Sequence, residues 1–231
     1  MANAGNAAAQ YELGFAYASG AGVPKDMNMA MVWWRKAAEL GDAQAQCNVG
    51  TAYANGLGAP HDPSEAVRWW RKGADQGNGL SHYYLGYAYL KGNGVPQKDD
   101  EAIAHMRKSA ELGVVYAQAK LSNMYFSGEG VPADPSAGLF WSKKAALNGD
   151  MECQFMVGLC YMEGVGAKVD LIEAYAWLHL CFSGGLSKAN EPISEVWRAL
   201  QGTGTLGSGP IRAAMRAGEL AKEMKKLSQA G

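Results

Sequence analysis

The side chains able to do chemistry are few, and their spacing serves none of the common reactions. Four histidines, His61, His82, His105 and His179, include no H-x-x-x-H pair that would put two imidazoles on one helix face for a metal ion. Four cysteines, Cys47, Cys153, Cys160 and Cys181, share no regular spacing. A reduced compartment is the simpler reading of them, although an even count leaves disulfides open. Serine acylation has no anchor, because neither Ser-x-x-Lys nor Gly-x-Ser-x-Gly occurs. Gly-x-Gly recurs in five copies, always between two helix-like segments. Without a strand before it, it is no nucleotide fingerprint. The adjacent carboxylates Asp99 and Asp100 fall at an expected helix start, where capping is the simpler role. No catalytic, metal-ligating or cofactor-binding residue is therefore assigned, and a non-catalytic protein is expected.

The same residues fall into place once the elements that carry them are read. Val49–Gly77 matches the rest of the chain again and again at a shift of 36 residues. Leu13-Gly14 becomes Val49-Gly50, Leu85-Gly86, Leu121-Ser122 and Val157-Gly158. Tyr17, Tyr53, Tyr89, Tyr125 and Tyr161 keep register, as do the turn glycines from Gly20/Gly22 to Gly164/Gly166. A fixed period of this size is the mark of a solenoid, in which each unit needs its neighbour to bury its apolar face. The repeat also accounts for the 30 glycines among 231 residues.

Each copy reads as two helices. Helix A of the first copy is expected over about Ala7–Ser19, with Asn6 as N-cap and Gly20 as its stop. Gly14 lies inside it at a cost of about 1 kcal/mol relative to alanine, which points to close packing on a partner helix. Helix B starts near Asp26, and Asp62-Pro63 and Asp134-Pro135 show the N-cap then N1 order. Asp62 and Asp170 have Glu65 and Glu173 three residues on, as in a capping box. Ala30, Trp33, Trp34, Ala37 and Ala38 form its apolar stripe, and basic pairs such as Arg35-Lys36 sit near its C-terminal dipole. The chain is expected to be one all-α solenoid domain over 1–231, with repeats at 5–40, 41–76, 77–112, 113–148 and 149–184. A degenerate sixth copy and a capping helix fill 185–228, with a glycine-rich loop at Gly202–Gly209.

The order Ala…Leu-Gly-x-x-Tyr-x-x-Gly-x-Gly-Val-x-x-Asp…Ala-x-x-Trp…Lys-Ala-Ala…Gly resembles the Sel-one-like repeat, a relative of the tetratricopeptide repeat (TPR). The likeness covers Gly5 to Gly185. His105 and Met106 depart from it by replacing two tryptophans, Ser122 by replacing glycine and Gly138 by replacing alanine. The resemblance implies a right-handed superhelix of helix pairs with a concave inner face, and a scaffold or adaptor role. A cysteine-rich bacterial branch of the family, linked to penicillin binding, pairs cysteines eight apart across the B-to-A turn. The matching positions here, such as Ala38/Gln46 and Ala146/Gln154, hold no cysteine. A hydrolase or penicillin-binding activity is accordingly the alternative reading.

Net charge of −1 without a basic stripe disfavours nucleic acid, and no apolar run is long enough to span a membrane. The N-terminus MANAGNAAAQ is no signal peptide. The chain starts almost on a repeat boundary, so a leader ahead of it would make a periplasmic or secreted location as open as a cytoplasmic one.

A partner is expected on the face lined by A helices. Counted from the Leu of Leu-Gly, the −5, −2, +2 and +5 positions point away from helix B. They place Tyr11/Phe15, Tyr83/Tyr87 and Phe155/Leu159 as i, i+4 pairs on copies one, three and five, with Phe126 on copy four. These rings either pack between successive A helices or grip a protein or peptide segment. A ladder at −3, Gln10, Gln46, His82, Gln118 and Gln154, is expected to tie neighbouring repeats by hydrogen bonds. Self-association through the uncapped N-terminal repeat is a third reading.

Overall fold

Helix boundaries follow local chemistry closely. A computed structural model describes residues 5–202 and 208–230 and shows twelve α-helices, with no strand among the described residues. They are α1 (Ala7–Ser19), α2 (Met27–Glu39), α3 (Ala43–Asn55), α4 (Pro63–Asp75), α5 (Gly79–Lys91), α6 (Asp99–Glu111), α7 (Val115–Ser127), α8 (Pro135–Leu147), α9 (Met151–Glu163), α10 (Leu171–Ser183), α11 (Asn190–Gly202) and α12 (Ser208–Ala230). A 3₁₀ turn at Ser187–Ala189 precedes α11. The loop expected at Gly202–Gly209 lies largely outside the described residues. The chain forms two compact units, Met1–Val114 and Val115–Gly231.

Caps set the register. Asn6, Asp42, Asn78 and Asp150 each accept a hydrogen bond from a backbone N–H of the A helix that follows. Asp26, Asp62, Asp134 and Asp170 do the same for B helices. Two expectations are modified. The capping box closes only halfway: the Asp62 and Asp170 N–H groups already donate to the Tyr53 and Tyr161 carbonyls, and Glu65 turns to Arg68, and Glu173 to Trp177 and Arg216. Asp99 and Asp100 make no cap. The N-cap of α6 is Lys98, without a side-chain bond, and Asp99, Asp100 and Glu101 face the dipole from the first turn.

In the first unit, α1/α2, α3/α4 and α5/α6 form hairpins, and α2/α3 and α4/α5 join them in a stack. Glycine permits the close approach within a hairpin. A methyl group at Gly50 would lie 2.5 Å from Cδ1 of Trp70 and 2.9 Å from the carbonyl oxygen of Ala66. The second turn glycine serves the stack instead. Gly58, at φ 70°, would bring a β-carbon within 2.2 Å of the Met27 carbonyl oxygen at the start of α2. Around these contacts Ala30, Trp34, Val49 and Trp69 make one core, and Val67, Trp70, Leu85 and Ala88 another.

The second unit repeats the pattern with α7/α8 and α9/α10. Its last helix takes a different place from a sixth helix B. It packs chiefly along α10 and touches α8 and α11 less, with Ala213 in a core shared with Val196 and Leu200 of α11. Ala217 and Leu220 of α12 enter the core of Leu139, Val157 and Trp177, and Arg216 pairs with Glu173.

Candidate functional site

The A-helix face of the first unit divides the expected residues by exposure. Phe15 on α1 is 51% exposed and Tyr87 on α5 is 46% exposed. Their i−4 partners are half-buried. Tyr11 packs against the core of Trp34 and hydrogen-bonds the Asn48 side chain, and Tyr83 meets Tyr84 edge-on at 5.5 Å. In each of these two pairs the −2 ring packs inward and the +2 ring faces solvent.

In the second unit the expected residues are all half-buried. Phe126 lies half-buried with its ring 3.0 Å from where a Gly138 β-carbon would stand, so it fills the α7/α8 hairpin. Phe155 is half-buried against the core of Val196 and Leu178, with the Lys188 ammonium 4.6 Å from its ring centre. Leu159 is half-buried. Phe126 and Phe155 belong to different clusters.

Two rungs of the amide ladder, Gln46 and Gln154, bond to the preceding repeat. Gln46 Nε2 donates to the Ala38 carbonyl at 3.1 Å, and Gln154 Nε2 to that of Ala146 at 3.2 Å. Gln76 Nε2 donates to Gln46 Oε1 at 2.7 Å, which ties the end of α4 to α3. The B-to-A turn, where the cysteine-rich relatives would carry a covalent link, is here closed by an amide.

Two departures from the repeat coincide in space. His82 replaces a ladder glutamine and His105 replaces a tryptophan, and their Nδ1 atoms lie 2.9 Å apart. Tyr89 stacks on His105 at 5.7 Å, and Arg71 donates to the Tyr89 hydroxyl. Burial holds both imidazoles below their usual value, with Lys108 adding to the effect at His82 and His82 itself at His105. This contact joins residues on different helices and has no signature along the chain.

The cysteines are buried free thiols. Burial pushes Cys153 up to about 12 and Cys47, Cys160 and Cys181 up to about 11, so none is a ready nucleophile. No cluster of three or more histidine, cysteine or acidic side chains that could hold a metal exists among the described residues. No helix among them is long and apolar enough to cross a membrane.

One feature of the face was missed. Between α1 and α3 lies an apolar cavity of about 250 Å³, with Phe15 on its rim and Trp34 and Asn48 in its wall. The signal was available at the −1 position, which runs Glu12, Asn48, Tyr84, Lys120 and Met156 and so changes size from copy to copy.

The Sel1 repeat family model matches the chain at residues 7–42, 43–78, 79–114, 115–150 and 152–180, each match opening on or next to the first residue of an A helix. A solved protective antigen of uropathogenic Escherichia coli with an SLR fold is 30% identical, with a TM-score of 0.81 over 94% of this chain and 47% of that one. A Sel1 repeat protein from Oxalobacter formigenes is 28% identical, with a TM-score of 0.79 over 84% of this chain and 57% of that one. The chain thus spans about half the length of these two structures. An immunity protein from Pseudomonas aeruginosa, 20% identical with a TM-score of 0.51 over 95% of this chain and 81% of that one, shares the fold. No curated protein matches the chain.

Proposed function

The chain belongs to the Sel1 repeat family, and from that premise we propose that it is a non-catalytic scaffold that binds a protein or peptide segment on the face of its A helices. The observation that carries this reading is the pair of solvent-facing rings, Phe15 and Tyr87, on helices whose other large apolar side chains are half-buried or buried. An exposed ring on a rigid helix gives contact area at small entropic cost, which suits a hot spot. The four buried thiols fit the same reading, since they offer no accessible nucleophile.

The test is affinity capture with the whole chain as bait, compared with Phe15→Ser/Tyr87→Ser. The proposal expects a partner that the wild type retains and the double variant loses, at an unchanged melting temperature. Retention by both at equal strength counts against it.

A further inference from the structure

Where repeats two and three meet, the protein covers one of its own tryptophans with its own tyrosine. Tyr84 stacks on Trp70 with ring centres 5.1 Å apart and planes 18° apart. One repeat earlier the same two positions hold Asn48 and Trp34. Asparagine is shorter by a whole ring, and the space is left as the cavity between α1 and α3, walled by Phe15, Met27, Trp34, Asn48, Thr51 and Leu57.

Size, polarity and charge limit what can enter. A dry cavity of about 150 Å³ admits a benzene ring, whereas drug-sized ligands and cofactors use roughly 300–1,000 Å³. The observed volume of about 250 Å³ therefore suits one aromatic side chain. Asn48 in the cavity wall hydrogen-bonds the Tyr11 hydroxyl. Thr51 Oγ1 donates to the Cys47 carbonyl and keeps lone pairs to accept from a phenol. Helices α1 and α3 carry no lysine or arginine and one carboxylate, Glu12, with Asp42 capping α3. An acidic segment would be repelled there, and a neutral or basic one admitted.

We propose that this cavity is an anchor subsite for one tyrosine or phenylalanine of a neutral or basic partner segment, whose ring seats between Phe15 and Asn48 against the small part of Trp34 that the fold leaves open, 7% of its surface. The proposal rests on the scaffold reading above and names what that face selects.

The test is titration of the isotope-labelled whole chain with N-acetyl-tyrosinamide, N-acetyl-phenylalaninamide and N-acetyl-leucinamide, read at the Trp34 indole N–H and the Thr51 amide. The two aromatic probes are expected to give saturable shifts about tenfold tighter than leucinamide. Asn48→Tyr, which copies Tyr84, should abolish them. Tyr84→Asn should create a second response at Trp70, and this variant decides the matter if Asn48→Tyr does not fold. Equal response to leucinamide overturns the proposal, as does no saturable response, or a response that survives Asn48→Tyr in a folded protein. A dimer that Asn48→Tyr dissolves would assign the cavity to a second copy and overturn it too. A partner captured through Phe15 and Tyr87 but indifferent to Asn48→Tyr would remove this subsite and leave the scaffold reading standing.

Discussion

Ser122 Oγ lies 2.6 Å from Ser142 Oγ, inside the α7/α8 hairpin. In the first two copies these positions are glycine and tryptophan, Gly14/Trp34 and Gly50/Trp70. The fourth copy has exchanged both. The lost indole makes room for the Ser122 side chain, which also donates to the Gly138 carbonyl at 2.9 Å. Gly138, alanine elsewhere, admits the Phe126 ring into the remaining space. Three departures from the repeat, together with Phe126, are therefore one repacking, and both buried hydroxyls in it have a partner.

Such coupling is measurable. Ser142→Trp alone should destabilise by about 1–3 kcal/mol, the usual cost of overpacking. Ser122→Gly in the same chain should return part of that loss. Urea unfolding of the two single variants and the double variant gives the interaction energy, and strict additivity would refute the coupling.

The two glycine roles separate by substitution. Gly50→Ala gains about 1 kcal/mol of helix propensity, yet its methyl group meets Trp70 at 2.5 Å and the Ala66 backbone at 2.9 Å. Packing outweighs propensity, and a net loss of about 1–2 kcal/mol is expected. Gly58→Ala should cost more, because it combines a φ of 70° with a 2.2 Å approach to backbone, which cannot swing aside. The denaturant midpoints should fall in that order.

The imidazole pair makes stability depend on pH. Both rings titrate below the ordinary imidazole value of 6.5 in the fold, owing first to burial. Lys108 adds to this at His82, and His82 and Arg71 add to it at His105, while Asp75 faces both rings and Glu101 faces His105 in the opposite sense. The unfolded chain thus takes up protons before the folded one does. The stability in question is complete above 6.5 and declines as pH falls through the folded values. His105→Phe should flatten this part of the profile between about pH 7.5 and about pH 5.5 in urea melts. Unchanged pH dependence in that variant would show that the pair is not its source.

Leu220 is 1% exposed in a core it shares with Trp177. Leu220→Ala should cost about 2–5 kcal/mol and loosen α12, so limited proteolysis should cut that helix first. Arg216→Ala removes only a partly exposed ion pair with Glu173 and should cost no more than about 1 kcal/mol.

The buried thiols should be silent. With values pushed up to about 11 or 12, a thiol reagent at neutral pH should label none of the four cysteines in the native protein and all of them in denaturant. Rapid native labelling would contradict the burial.

Helix length, helix ends and period were legible in the chain because they are decided by near neighbours. Asp62-Pro63 starts a helix and Gly56 stops one through groups a few residues away. The same locality made the Gly14-type positions readable as close contacts, since a glycine inside a helix has to be offset by packing. The expected binding residues were legible only as a stripe. Whether Tyr11 or Phe15 meets solvent depends on what the next A helix presents, and Asn48 is 37 residues beyond one and 33 beyond the other. The cavity over Trp34, the 2.9 Å approach of His82 to His105 and the side-on seat of α12 against α10 are likewise products of packing between helices. Periodicity states that two positions are equivalent. Only the neighbouring side chains, brought within van der Waals contact by the fold, decide whether equivalent positions are filled or left open.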